Sequence, residues 1–144
     1  MNENAIKGLT TELHCMLAFS ERGILLSQPI VADSRYDFIA DINNKLMRIQ
    51  CKSSTGYEND SYIKFRVKTT NIRQMTTKSY SEDEIDYFYT WYNNKDYLIP
   101  VSETGSQTFT LRFVSNNNAN PSIHWAKDYE LDTILKKENA TKEI

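Results

Sequence analysis

Tyr36-Asp37-Phe38-Ile39-Ala40-Asp41-Ile42-Asn43-Asn44-Lys45-Leu46-Met47-Arg48-Ile49-Gln50-Cys51-Lys52 is the stretch on which the fold turns. Two apolar-rich runs flank Asn43-Asn44, a pair that tolerates the left-handed backbone of a tight hairpin turn. Tyr36 to Ile42 and Leu46 to Ser53 are therefore predicted as paired strands. Side chains alternate along a strand, so Arg48, Gln50 and Lys52 share one face while Met47, Ile49 and Cys51 share the other. On the first strand Asp37, Ile39 and Asp41 share a face. The turn can bring Asp37 toward Gln50 and Lys52, gathering an acid, an amide and an ammonium in one place.

Upstream, Ile6, Leu9, Leu13, Met16, Leu17 and Phe19 recur at helical spacing between Asn4 and about Glu21, and Arg22-Gly23 supplies a stop. This predicts an opening amphipathic helix. Ile24 to Val31 reads as a short strand, with Pro29 suggesting an edge or an irregular end. Downstream, Tyr62 to Thr69 alternates, with Ile63, Phe65 and Val67 on one face and Lys64, Arg66 and Lys68 on the other. Residues 70–86 are polar and predict an irregular loop or a short helix. Asp86 to Tyr92 and Asp96 to Val101 read as a second hairpin turning at Asn93-Asn94, and Thr108 to Phe113 as a last strand. Residues 116–121 signal a loop, and Ala126 to Lys137 a closing helix. The expected architecture is α/β, a mixed sheet flanked by helices, in one domain over residues 1–138 with a loose tail over 139–144.

A chain of 144 residues can bury one core. Its 40% apolar and 12% aromatic content is that of a globular protein rather than a disordered one. No apolar run approaches the ~20 residues of a membrane span, and the start lacks a basic region followed by an apolar stretch, so a cytoplasmic location is expected. Cys15 and Cys51 have no second cysteine at metal-clip spacing and read as buried free thiols. The net charge of −2 conceals a segregation. Residues 1–44 carry −3 and residues 81–144 carry −5, whereas residues 45–80 carry +6. That central segment holds Lys45, Arg48, Lys52, Lys64, Arg66, Lys68, Arg73 and Lys78. It suits a phosphate-facing surface as well as a solvated sheet face.

Oxygen ligands held near a cation are what a metal-dependent phosphodiesterase requires. Asp37, with Gln50 thirteen residues on and Lys52 two further, resembles the signature of the PD-(D/E)XK nuclease superfamily. Tyr36 to Asp41, Leu46 to Lys52, Ile85-Asp86-Tyr87-Phe88 and Tyr97-Leu98-Ile99-Pro100-Val101 together are similar to the branch containing group I intron homing endonucleases. The resemblance extends over roughly residues 4–113. It implies a restriction-endonuclease-like core and hydrolysis of DNA phosphodiesters with Mg²⁺, for which Mn²⁺ can substitute. It further implies Asp37 as principal metal ligand, Gln50 as a ligand through its amide oxygen, Glu12 as an additional acid, and Lys52 as the group that orients the attacking water. Tyr36 stands where the family name has proline, and Gln50 where it has an acid. Double-stranded DNA is the expected partner, with Lys64, Arg66, Lys68, Arg73 and Lys78 on its backbone. A homodimer or homotetramer would supply one site for each strand.

Plainer readings stand beside these. Asp37 can be a strand-end acid paired with Arg35 or Arg48, Gln50 and Lys52 an exposed strand face, and Glu12 a solvated helix residue. Asp41 reads as a turn residue. His14 and His124 belong to no recognisable pair, and the aromatics from Tyr87 to Tyr92 read mainly as core. A junction resolvase or restriction-type nuclease keeps the same fold, and a non-catalytic DNA-binding module keeps the core without the chemistry.

Overall fold

Strand and helix positions follow the alternation and the turn residues closely. The protein, seen in a computed structural model, is described over residues 2–71, 76–105, 107–115 and 122–142; for 69–71, 76–79, 141 and 142 this covers the backbone alone. The elements are α1 (Glu3–Glu21), β1 (Leu26–Ser27), β2 (Phe38–Ile42), β3 (Lys45–Cys51), β4 (Thr55–Tyr57), β5 (Tyr62–Arg66), β6 (Lys68–Asn71), β7 (Thr76–Ser79), β8 (Tyr87–Tyr92), β9 (Lys95–Pro100), β10 (Thr108–Arg112) and α2 (Leu131–Lys142). Both Asn-Asn turns take positive φ at each residue, 55° and 67° at Asn43 and Asn44 and 48° and 66° at Asn93 and Asn94. That twist matches the flanking strands of a two-residue hairpin.

The main sheet has the order β1-β2-β3-β8-β9, antiparallel except for the parallel pair β3 and β8. The connection between those two strands contains the hairpin of β6 and β7 together with β4 and β5, which join β10 in a second, three-stranded sheet. On one face of the main sheet lies α1, where Phe19 meets Tyr89 with ring centroids 6.5 Å apart. On the other face Phe88 packs against Phe65 at 5.6 Å, and Phe65 against Phe109 at 5.7 Å. Ile63, Phe65 and Val67 are buried as their alternation predicts. The result is the mixed α/β fold expected from the sequence.

Several elements differ from expectation. The first strand contracts from residues 24–31 to Leu26–Ser27, because Pro29 has no N–H to donate and Ile30 lies fully in solvent. Thr55-Gly56-Tyr57 forms the unforeseen β4, which meets β5 across a turn with positive φ at Glu58, Asn59 and Asp60. At Gly56 the absent Cβ leaves room for the Tyr92 hydroxyl to lie against β4. Within the loop expected over 70–86, Thr70-Asn71 and Thr76 to Ser79 instead belong to the paired strands β6 and β7, whose register pairs Lys68 with Ser79. Asp41 is a residue of β2 rather than of the turn. The closing helix begins at Leu131, after a 3-10 turn over Ala126–Tyr129, and runs to Lys142. The loop expected over 116–121 lies outside the described residues.

The largest difference concerns α1. Its buried residues are Thr11, Cys15, Ala18 and Phe19. Ile6, Leu9, Leu13, Met16 and Leu17 point to solvent instead.

Candidate active site

The site forms where β2 begins, β3 ends and α1 passes over them. Asp37 lies one residue before β2, and the register that pairs Phe38 with Ile49 sets it opposite Gln50. Its N–H donates to the Ile49 carbonyl at 2.8 Å, and its Oδ2 accepts the Cys51 N–H at 2.8 Å. A carboxylate thus takes over where the backbone ladder ends, which fixes its orientation. The helix is tied to the same place by its neighbour Thr11, whose hydroxyl shares a 2.8 Å hydrogen bond with Ser53, two residues beyond β3. Ser53 in turn donates to the Lys7 carbonyl at 3.3 Å. These contacts bring Glu12 close enough to Asp37 for the two carboxyls to influence each other.

Burial pushes both carboxyls above the usual carboxylate range. For Glu12 the neighbouring Asp37 charge adds to that effect; for Asp37 the Cys51 N–H, Glu12 and Lys52 counter it in part. Gln50 completes the cluster of oxygens. Its Oε1 is buried and has no hydrogen-bond partner among the described residues. Among those residues no three of His, Cys, Asp and Glu gather to hold a metal ion, so the acidic content of this cluster is two carboxylates, joined by one amide.

Lys52 follows β3, and its N–H continues the parallel pairing by donating to the Tyr89 carbonyl at 2.8 Å. Its Nζ donates to the Lys68 carbonyl at 3.2 Å and lies 4.8 Å from the centre of the Tyr80 ring. The Arg35 guanidinium is 4.0 Å from the same ring. Burial lowers the Lys52 pKa to about 8, against the pull of Asp37 and with help from Arg35 and Arg66. The two arginines nearest Asp37 in sequence turn to other acids. Arg35 binds Glu84 at 2.5 Å, and Arg48 binds Asp86 at 3.1 Å and the Glu82 carbonyl at 2.9 Å.

A family model described as PD-(D/E)XK endonuclease matches residues 2–132. The chain belongs to that family. As a PD-(D/E)XK endonuclease it is a nuclease. No curated protein sequence matches it significantly. Its fold is that of a solved bacterial homing endonuclease, I-Ssp6803I, with a TM-score of 0.75 and 20% sequence identity over 99% of this chain and 100% of the other.

Glu12 on α1, Asp37 before β2, and Gln50 and Lys52 at the end of β3 lie at one end of the β2–β3 pair. Lys64, Arg66 and Lys68 lie on the outward face of β5 and the start of β6, and the Lys68 carbonyl touches Lys52. Arg73 lies outside the described residues, and Lys78 falls in β7, where the side chain is not described. Tyr57, Tyr62 and Arg112 share the face of Lys64 by register, with Arg112 4.9 Å over the Tyr62 ring. Those three, and Tyr80 beside Lys52, escaped the sequence reading, which had no sign of β4 or of the hairpin before Tyr80. The histidines pack on rings: His14 stacks on Trp91 at 3.8 Å, and His124 lies 4.5 Å from Phe109. Tyr87, Phe88 and Tyr89 are core, as the sequence suggests. Both cysteines are free and buried, and no helix among the described residues is long and apolar enough to cross a membrane.

Proposed function

We propose that this nuclease is a divalent-metal-dependent endonuclease of double-stranded DNA, site-specific in the manner of homing endonucleases. Glu12, Asp37 and Gln50 would hold Mg²⁺, with Mn²⁺ as substitute, and Lys52 would serve the attacking water. The observation that carries this reading is the buried Gln50 Oε1, partnerless among the described residues, beside two carboxyls whose charged forms are disfavoured by burial. Buried polar atoms are nearly always satisfied, so an orphaned amide oxygen next to two acids fits a set of hard oxygen ligands awaiting a hard cation.

When bound, the cation supplies Lewis-acid polarisation of the phosphate and neutralises charge there. The chain supplies the rest. The Cys51 N–H holds Asp37 Oδ2 and so fixes the orientation of the carboxylate that would serve as ligand. Lys52, tethered by the Lys68 carbonyl, orients the water and offsets the charge that develops on phosphate oxygens. Water attacks phosphorus in line and the bond to the 3′ oxygen breaks, giving 5′-phosphate and 3′-hydroxyl ends. Lys64, Arg66 and Lys68 would grip the DNA backbone beside Lys52, joined by Arg73 and Lys78. Such contacts position a duplex without reading its sequence. Two strands call for two sites, hence a homodimer or homotetramer.

The test is incubation of long mixed-sequence DNA with the purified protein in Mg²⁺, Mn²⁺ or EDTA, alongside Asp37→Ala and Lys52→Ala. Cuts that require metal and vanish in both variants are expected. Cleavage that survives EDTA, or persists in Asp37→Ala, would remove the metal site from the mechanism.

A further inference from the structure

An amphipathic helix ordinarily turns its apolar stripe inward, and α1 does the reverse. Ile6, Leu9, Leu13, Met16 and Leu17 are 45%, 54%, 53%, 41% and 54% exposed, while the opposite side, Thr11, Cys15, Ala18 and Phe19, is the one that meets the sheet. The stripe recurs at intervals of three and four residues, the a and d positions of a heptad, with Leu17 flanking. Five large aliphatic side chains about half exposed make a contiguous apolar patch of roughly 400 Å², at the size where patches on monomers mark interaction sites.

We infer that α1 is a homodimer interface in which two copies pair their exposed stripes antiparallel, Leu9 of one copy facing Leu13 of the other and Ile6 facing Met16. Two observations select a second copy of this chain. The stripe is self-complementary, because a two-fold axis level with the middle of the helix superposes its large residues on large residues of the partner. Its area is adequate: two such patches bury roughly 800 Å² before any flanking surface is added, and the rim of a helix pair brings the total past the ~1,000 Å² of a stable interface.

The pairing also orients the candidate sites. At 100° per residue Glu12 lies about a quarter turn from the centre of the stripe. The two-fold axis of an antiparallel helix pair is perpendicular to both helices and lies between them, so whatever flanks one helix on a given side flanks the other on the same side. Both Glu12 clusters then open on one side of the dimer, where a single duplex can reach them. A parallel pair would put them on opposite sides. This orientation rests on the nuclease reading; the association itself does not, and it is measured without DNA.

Sedimentation velocity of the wild-type chain at tens of micromolar, with and without Leu13→Lys, tests the interface. At least twice the chain mass of 16.8 kDa is expected for wild type, falling to one chain mass in the variant, whose far-UV circular dichroism stays native because Leu13 touches solvent. A monomeric wild type, or an oligomer untouched by Leu13→Lys, overturns the inference. Oxidation of Leu9→Cys, Leu13→Cys and the double variant tests the direction: a cross-linked dimer is expected only from the double variant. Efficient cross-linking of Leu13→Cys alone means the helices are parallel and overturns the antiparallel pair.

Discussion

Two carboxyls and an ammonium in one half-buried cluster are costly to a fold, and the sign of each cost is open to measurement. An acid whose folded pKa is raised holds its proton to higher pH than it does unfolded. Stability therefore falls as pH rises through that window, and the full penalty is present above the folded pKa. Asp37→Asn removes one such charge while its amide oxygen can still accept the Cys51 N–H. The variant is expected to melt at or above the wild-type temperature without divalent ions, and to lose the stabilisation that Mg²⁺ gives wild type; differential scanning calorimetry with and without Mg²⁺ reads both. Lys52 works in the other direction. Its folded pKa of about 8 lies below the ordinary 10.5, so the penalty is complete below about 8 and is relieved as pH rises toward 10.5. Lys52→Met is expected to add on the order of 1–3 kcal/mol of stability at pH 7, with an advantage that shrinks above pH 8, while cleavage is lost. A denaturation series between pH 6 and 10 would show whether the two stability curves converge.

At the level of elements, the turns are the most local and therefore the most transparent features. Asn44 and Asn94 sit at φ of 67° and 66°, where a Cβ is strained and asparagine is better tolerated than alanine. Asn94→Ala is expected to cost about 1 kcal/mol and Asn94→Gly nothing, as shifts in the urea midpoint. The same locality explains what the sequence made legible. Strand faces in β3 and β5 follow a period of two, so the placement of Gln50 and Lys52, and of Lys64 and Arg66, could be read directly. The meeting of Asp37 with Gln50 needed only the hairpin. By contrast Tyr80 reaches Lys52 through a hairpin whose threonines look like a polar loop, and no periodicity links positions 28 residues apart. Glu12 was found through family resemblance, since helix spacing alone makes it a solvated residue. The reversal of α1 could not be read either, because periodicity shows that a helix has an apolar face without showing what that face meets.

For the whole molecule, the segregation of charge matters more than its total. The central +6 segment carries Lys52 at the site and Lys64, Arg66 and Lys68 alongside it, between flanking segments that are acidic. If the β5 cations sit on phosphates, the double variant Lys64→Ala and Arg66→Ala should weaken binding to unrelated duplexes equally. It should also reduce the slope of log K against log salt by about 2, near 0.9 for each phosphate no longer neutralised. Fluorescence anisotropy on two unrelated sequences over a salt series would show it, and weakening confined to one sequence would assign these residues to base readout.

The parallel pairing of β3 with β8 has a bearing on time. Gln50 and Lys52 cannot settle beside Phe88 and Tyr89 until the whole intervening layer has been threaded and closed. Pairings of such long sequence separation are slow to form, on the order of milliseconds to seconds, because chain entropy is lost before contacts reward it. On a ribosome, the residues of the cluster leave the tunnel early yet lack the parallel neighbour of β3 until the strand beginning at Tyr87 follows them out. The nascent chain thus carries its reactive residues well before it carries a working arrangement of them.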